Sequence, residues 1–439
     1  MTIRFLSVPV CTALLGAAAI VACGSSSGGN NNGTGDDGGS SSSSSSGAGS
    51  SSSSGAGSSS SSGAGSSSSS GAGSSSSSGG SSSSSGGLSD AGGGTFHGGN
   101  TKGSCTTALP ANGKPVDTSK PTTVVGTGTA ASCTFSALQA AVAKGGIITF
   151  DCGGPATIKV TSTLNLPLTT STVIDGGNNV TLDGGGAVQI LNFNSPGWQT
   201  GTETVTLQHL QLINAKTNPT DMIPTAPAPC SQGWDDGEGG AIYMRDGSLV
   251  VIDCVFDHDY AAPLGPDTGG GAIYVNGSKN GVLIVQSTFT NNQAANGGAV
   301  GVLWAELDVY NSVFTNNTGT GHDANNNDPS KCSAMNNGQN EIGSGGNGGA
   351  LYGDGNNFSM IYCGDDIENN AAGTNAFGGG IFFTSDNMSG TLTIQDTTIE
   401  GNTGGHWTNV SGGSVTNAGT AVGTNAKSIT ITNSMVQGI

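Results

Sequence analysis

The stretch Gly297-Gly298-Ala299-Val300, answered sixteen residues after its second glycine by Phe314-Thr315-Asn316-Asn317, decides the fold. The unit recurs at Gly239-Gly240-Ala241-Ile242, Gly270-Gly271-Ala272-Ile273, Gly348-Gly349-Ala350-Leu351, Gly379-Gly380-Ile381 and Gly412-Gly413-Ser414-Val415, and each copy is expected to open a strand. A second strand follows, written apolar-x-apolar, then two or three polar residues, then a large apolar residue and often Asn. The copies run Leu249 to Phe256, Leu283 to Phe289, Leu307 to Phe314, Met360 to Ile367, Leu392 to Ile399 and Ile429 to Val436, with an earlier one, Val205 to Leu212, that lacks its Gly-Gly.

From the second glycine to the large apolar residue the spacing stays between 16 and 23 residues, whereas the return to the next glycine pair runs from 9 to 35. Period-2 patterning punctuated by glycine argues for short strands. A repeat with one fixed and one free half argues for a coil whose insertions leave on one side. The expected fold is therefore all-β, a single-stranded parallel β-helix with two strands in each repeat. Phe256, Phe289, Phe314, Ile367 and Ile399 should stack as one inner row, with the neighbouring Asn residues forming a polar ladder inside a turn.

Composition bounds the partners. Charged residues are 9% and aromatics 5%, Gly reaches 78 of 439, and 29 acids against 11 Lys and Arg give a formal charge of -18. Nucleic acid is excluded as a partner, because its binders need a basic stripe to replace counterions and Arg245 is the only arginine after Arg4. The same shortage argues against direct gripping of an anionic polysaccharide unless calcium bridges the two.

Residues 1–22 read as an export signal: Arg4, an apolar run to Ile20, then small residues. Ile20-Val21-Ala22-Cys23 resembles a bacterial lipobox, which implies cleavage before Cys23 and acylation of its thiol; Gly24, not being Asp, implies the outer membrane. Membrane attachment would rest on that lipid alone. Residues 23–95 are almost entirely Ser and Gly and read as a disordered tether with a root-mean-square reach of roughly 45 to 50 Å.

Residues 96–145 form a transition and a capping helix, and 146–439 the coil. Ser132 or Thr134 can cap the helix, whose Phe135, Leu138, Ala141 and Val142 share a face that should lid the first rung and hide its edge. The last rung ends near Val436, and its edge needs protection from an element the sequence does not display. Cys133 and Cys152 flank the helix and the first strand and should bridge. Cys332 and Cys363 form the second expected pair. Cys105, Cys230 and Cys254 remain, with Cys254 at an inward position that suits a buried thiol or a bridge equally. No Cys-x-x-Cys or His-x-x-His spacing offers a zinc site.

Gly-Gly-Ala-(Ile/Leu/Val) with Phe-x-x-Asn is similar to the repeats of polymorphic outer-membrane proteins, and Phe289-Thr290-Asn291-Asn292 carries the second half in full. More broadly, residues 130–439 resemble the right-handed β-helix proteins that include pectate lyases and polygalacturonases. The resemblance implies the fold strongly and the function weakly, since one coil serves adhesins, lyases and hydrolases. A translocating barrel, which that family carries, is not expected here, and anchoring is expected to rest on the lipid.

The chemical candidates follow. Gly364-Asp365-Asp366 matches the paired-acid motif of polygalacturonases, but without its partner motifs it reads first as an acidic turn before Ile367. Arg245, beside Asp246, is the one arginine available for lyase-type proton abstraction, and otherwise reads as a surface cation near its acidic neighbours. In Asp257-His258-Asp259-Tyr260 a histidine stands where other rungs carry the ladder Asn, so His258 is expected to replace it. Trp234, Asp235, Asp236 and Glu238 combine a flat aromatic with three acids, equipment for stacking a sugar and chelating Ca2+.

Two long insertions, Ile213 to Glu238 and Thr315 to Asn347, leave the coil on the same side, three rungs apart. The expected groove has Trp234, Asp235, Asp236 and Glu238 on one wall, His322, Asp323 and Asp328 on the other, and His258, Asp259 and Tyr260 on its floor. The sequence reads as a lipid-anchored surface protein that binds an extracellular glycan or surface partner. Rival readings are a polysaccharide lyase or hydrolase and a structural envelope component.

Overall fold

The computed structural model describes residues 95–217, 237–324, 343–385, 387–404, 417–418 and 420–438. The export signal, Cys23 and the Ser/Gly tether lie outside them. Among the described residues the strands form a 17-stranded sheet, a nine-stranded sheet and a two-stranded pair, with one α-helix, Phe135–Val142. The strand pairs are parallel, except that Asn417–Ala418 runs antiparallel to Val422–Thr424. This is an all-β architecture of long parallel sheets, compatible with a parallel β-helix.

Each repeat contributes three strands. One unit comprises Ile242–Arg245, Ser248–Ile252 and Val255–Asp257, and the next Ile273–Asn276, Val282–Val285 and Thr288–Thr290, each strand pairing with its counterpart. The expected second strand is thus two strands with a corner between them. A left-handed residue turns that corner in every copy: His209, Asp253, Gln286, Asn311, Gly364, Asp396 and Asn433.

The paired glycines have separate causes. The first turns the chain into the strand at positive φ, between 54° and 68° at Gly239, Gly270, Gly297 and Gly348. At the second, a Cβ on Gly240, Gly271, Gly298 or Gly349 would collide with the carbonyl oxygen of the following rung's second glycine. This geometry corrects one register: Gly378 carries φ 65° and Gly349 faces Gly379 O, so the fifth pair is Gly378-Gly379, not Gly379-Gly380. Gly412-Gly413-Ser414-Val415 lies outside the described residues, and the strand that continues this ladder beyond Ile381–Phe383 is Val422–Thr424.

The inner row is as expected. Phe256, Phe289 and Phe314 stack with centroids 4.6 and 4.8 Å apart and nearly parallel rings, and Ile367 and Ile399 continue the register. All five are fully buried, each contributing roughly 1.5–3 kcal/mol of apolar transfer.

The asparagine spaced three residues beyond is coupled to this row. Backbone N–H groups of Asn292, Asn317 and Asn370 donate to Oδ1 of the next ladder member at 3.0, 2.9 and 2.9 Å. The side-chain amides of Asn292, Asn317, Asn370 and Asn402 donate to the carbonyls of Phe256, Phe289, Phe314 and Ile367. A buried amide so placed satisfies a carbonyl that would otherwise be orphaned.

The N-terminal region differs from expectation. Thr134 is the helix cap, its Oγ1 accepting from Ala137 N–H, and Leu138, Ala141 and Val142 enter the core. The open edge of Gly146–Phe150 is covered by a strand, Thr123–Val125, rather than by the helix. The preceding residues 96–118 form a strap. It climbs the corner positions, with Gly98 N–H on Asp253, Asn100 N–H on Asn311 O and Thr106 on Asp396. It then returns across the outer sheet face to Gln208 and Asp175.

Leu109 covers a second apolar cluster of Val250, Ile252, Leu283, Val285 and Tyr310 on that face. The strap explains the cystine pattern. Cys133–Cys152 forms as expected, but Cys363 bonds Cys105, not Cys332, because its outward side chain faces the strap. Cys230 and Cys332 lie outside the described residues, and Cys254 is a free buried thiol.

Candidate functional site

The roots of the two long insertions share one ladder: Lys216 pairs with Tyr260, Tyr260 with Gln293 and Gln293 with Thr318. The insertions themselves are largely outside the described residues, and with them Trp234, Asp235, Asp236 and Asp328. Glu238 is described and buried, with its backbone carbonyl accepting from Gln189 and Thr217.

On the floor, His258 is exposed and bonds the Asp257 carboxylate at 2.7 Å, with its ring edge-on to Tyr260 at 6.4 Å. His258 does not replace the ladder asparagine. It aligns with left-handed Asn291, Asn316 and Asn369, and Asp259 takes the ladder position. Asp259 is fully buried and leaves the expected floor. Burial pushes its carboxyl well above the usual range, against the Ala215 N–H that holds Oδ1 at 2.8 Å, while Oδ2 has no partner.

His322 and Asp323 pair with each other at 2.9 Å, and Asn375 donates to the second Asp323 oxygen. These bonds, the Asn375 one first, hold the Asp323 carboxyl below its usual value. His322 pairs with Thr374 and so belongs to a different ladder from Tyr260.

The paired acids separate. Asp365 faces inward as a member of a corner ladder with Ser287, Ser312, Thr397 and Ser434, its Oδ1 accepting from Ser312 N–H at 2.7 Å. Burial drives its carboxyl well above the usual range, and Oδ2 is unpartnered. Asp366 faces the strap, where Lys102 Nζ lies 2.9 Å from it and 3.4 Å from Glu368. The bond to Asp366, then burial, pushes Glu368 up to about 7.

Arg245 is on the other large sheet, in register with Asn194, Asn276, Leu303 and Asp354. Its guanidinium lies 5.6 Å from the Trp198 ring centroid and its Nε donates to Gly197 O. Neighbouring Asp246 is turned away and accepts from the Thr200 and Gly201 N–H groups.

The structure also assembles groups that the sequence reading passed over. Asp175 bonds His209 at 3.0 Å and accepts from Thr118 and Gln208. Burial opposes its ionisation, yet these bonds hold its carboxyl at about 2 and raise His209. A cleft of about 400 Å³ opens beside Asp175 and Asp151, and one of about 570 Å³ lies between strap residue Lys114 and the strands at Thr204 and Ser248.

No spacing in the sequence announces these pairs, since the strap meets the coil at isolated polar residues. The one three-ligand cluster among the described residues, Cys105, Cys363 and Asp396, is a disulfide beside a carboxylate already held by Thr106, so it offers no thiolate. Of the expected calcium ligands only Glu238 is described, and it is buried. The chain matches no protein-family model, no curated protein and no solved structure.

Proposed function

We propose that the parallel ladders close into a right-handed solenoid, displayed at the cell outer membrane by a lipid on Cys23 and the Ser/Gly tether. In this reading the solenoid binds an extracellular glycan or surface partner and carries out no chemistry.

The observation that carries this reading is where the polar groups go. Asp259 and Asp365 are consumed by internal ladders, Asp366 and Glu368 by Lys102, and Arg245 sits on a different sheet from Asp366 and Glu368. General acid–base work needs its two groups convergent on one reacting bond. Recognition across a rigid repeated surface needs no such convergence. The observation that favours the rival hydrolase reading is Glu368, which is poised near neutrality beside Asp366.

The full-length chain, screened on a glycan array with Ca2+ and with chelator, should bind. Release of reducing sugar or of an unsaturated product from any bound glycan would replace this reading with the enzymatic one. Metabolic labelling with a fatty acid should mark the wild type and not Cys23→Ser; an unlabelled wild type removes the anchor.

A further inference from the structure

One side of the coil carries aromatic residues across successive turns. The turns follow the strands Ile242–Arg245, Ile273–Asn276, Val300–Leu303 and Leu351–Asp354, which lie in register. The residue after the second of these strands is Gly277 at φ 67°, and after the third it is Trp304 at φ 55°. A bulky aromatic in the left-handed region is strained; the preceding rungs fill this place with Gly277 and, at φ 64°, with Asp246.

Strain of this kind is retained where the side chain is used. The Trp304 ring meets Phe358 edge-on at 6.3 Å. The Phe358 ring lies against Gly355, where a Cβ would collide with it.

A second ring arrives from another part of the chain. Trp198 lies flat on Gly277, which likewise has no room for a Cβ, and is 39% exposed. Its loop is tied across the turns: Gln199 N–H donates to Gly277 O at 2.8 Å and Gln199 Nε2 to Trp304 O at 3.2 Å. Arg245 completes the row against the Trp198 ring. Among the described residues it forms no ion pair, although the chain carries 29 acids and the adjacent Asp246 could have been its partner.

We infer that the strip Arg245, Trp198, Trp304 and Phe358 is a binding site for a short anionic oligosaccharide. This rests on the glycan-binding reading above and names its place and chemistry. Indole faces accept the CH face of a pyranose, since stacking on aromatic surface is apolar burial with a fixed geometry. The strip spans four rungs, about 14 Å at the spacing of paired strands, which suits a few sugar units laid along the coil. The guanidinium, which forms no ion pair among the described residues, selects a carboxylate or sulfate, which it can hold through two parallel hydrogen bonds. The formal charge of -18 opposes such a ligand at long range, so binding rests on these short-range contacts and should not weaken as salt screens the repulsion.

The test is calorimetric titration of the full-length chain with carboxylated, sulfated and unmodified dextran oligosaccharides and with poly-glutamate. The wild type should bind one or both charged sugars at least tenfold more tightly than the neutral one and than poly-glutamate. Trp198→Ala and Trp304→Gly should each weaken charged-sugar binding at least tenfold. In Trp304→Gly the relief of a φ of 55° offsets part of the lost Phe358 contact, so a melting curve should still show a folded protein. Arg245→Gln should abolish the preference for charge.

Wild-type affinity in the Trp variants of a protein that binds glycans on the array would overturn the site while leaving the function. Poly-glutamate bound as tightly as sugar would replace the ligand class by an acidic peptide. A wild type that binds none of the dextran probes yet binds other array glycans overturns the ligand chemistry, and an array with no binding overturns both readings.

Discussion

The backbone N–H of Asp259 donates to Oδ1 of Asn292 at 2.9 Å, so an acid occupies the end of a ladder otherwise built from asparagine. By register, its Oδ2 takes the place of the amide that in Asn292 donates to Phe256 O and to Asn317 Oδ1. An ionised oxygen there would face acceptors only. A protonated one can donate, which is the state its burial favours.

Stability should therefore change with pH in the sense opposite to most carboxylates. A folded pKa raised above the usual 3.8 means a contribution fully present below that value and lost as pH rises through the folded pKa. Asp259→Asn and Asp365→Ser, which restore the ladder residue, should raise the melting temperature at pH 7 and 8 and leave it nearly unchanged at pH 3.5. Denaturation curves at these pH values check this; equal effects at both ends would mean that neither acid is protonated in the fold.

Loss of the Cys105–Cys363 bond by Cys363→Ser should cost about 2–4 kcal/mol. Peptide mass mapping should find Cys363 joined to Cys105. Cys254, with its thiol pushed up to about 12 by burial, should resist alkylation until the chain unfolds.

The inner row predicts unequal costs. Phe289→Ala or Phe314→Ala should cost about 3–5 kcal/mol through the cavity left in a stacked column. Phe96→Ala, on the strap where Phe96 is anchored by its backbone N–H to Asn178 O, should cost under about 1 kcal/mol. Chemical denaturation measures both, and similar losses would refute the stacked row.

Glycine substitutions should divide the same way. Gly271→Ala puts a methyl group into the carbonyl of Gly298 and should cost about 4 kcal/mol or prevent folding. Gly177, left-handed at φ 58° with open space at its Cβ, should accept Asn almost without loss. Thermal melts of the two variants separate crowding from backbone conformation.

The parts of the fold that repeat were legible because each repeated residue type answers one recurring demand. A glycine meets a neighbouring carbonyl, a phenylalanine fills the row, and an asparagine caps the carbonyl behind it. The corner was not legible. Its left-handed position is filled by His209, Asp253, Gln286, Asn311, Gly364, Asp396 and Asn433, which share a backbone conformation but no single residue type that would mark it. Asp259 and Asp365 looked like surface acids because their ladder places are held by neutral residues elsewhere. The strap was invisible for a third reason: it meets each rung once, so it has no period. Trp198 and Trp304 escaped because their relation is spatial and is made by Gln199.

The bond between Cys105 and Cys363 joins residues 258 positions apart. If the chain is pulled from its two ends, tension passes along residues up to Cys105, crosses the sulfurs and continues from Cys363. Everything between them becomes a slack loop in parallel with a covalent shunt. The Phe256–Phe289–Phe314 column, the strip at Trp198 and Trp304 and most of the rungs lie inside that loop and carry no load. Within the described fold only the strap before Cys105 and the rungs after Cys363 can be drawn out, so once the Ser/Gly stretch is taut the pulled molecule should lengthen by a fixed increment and then hold.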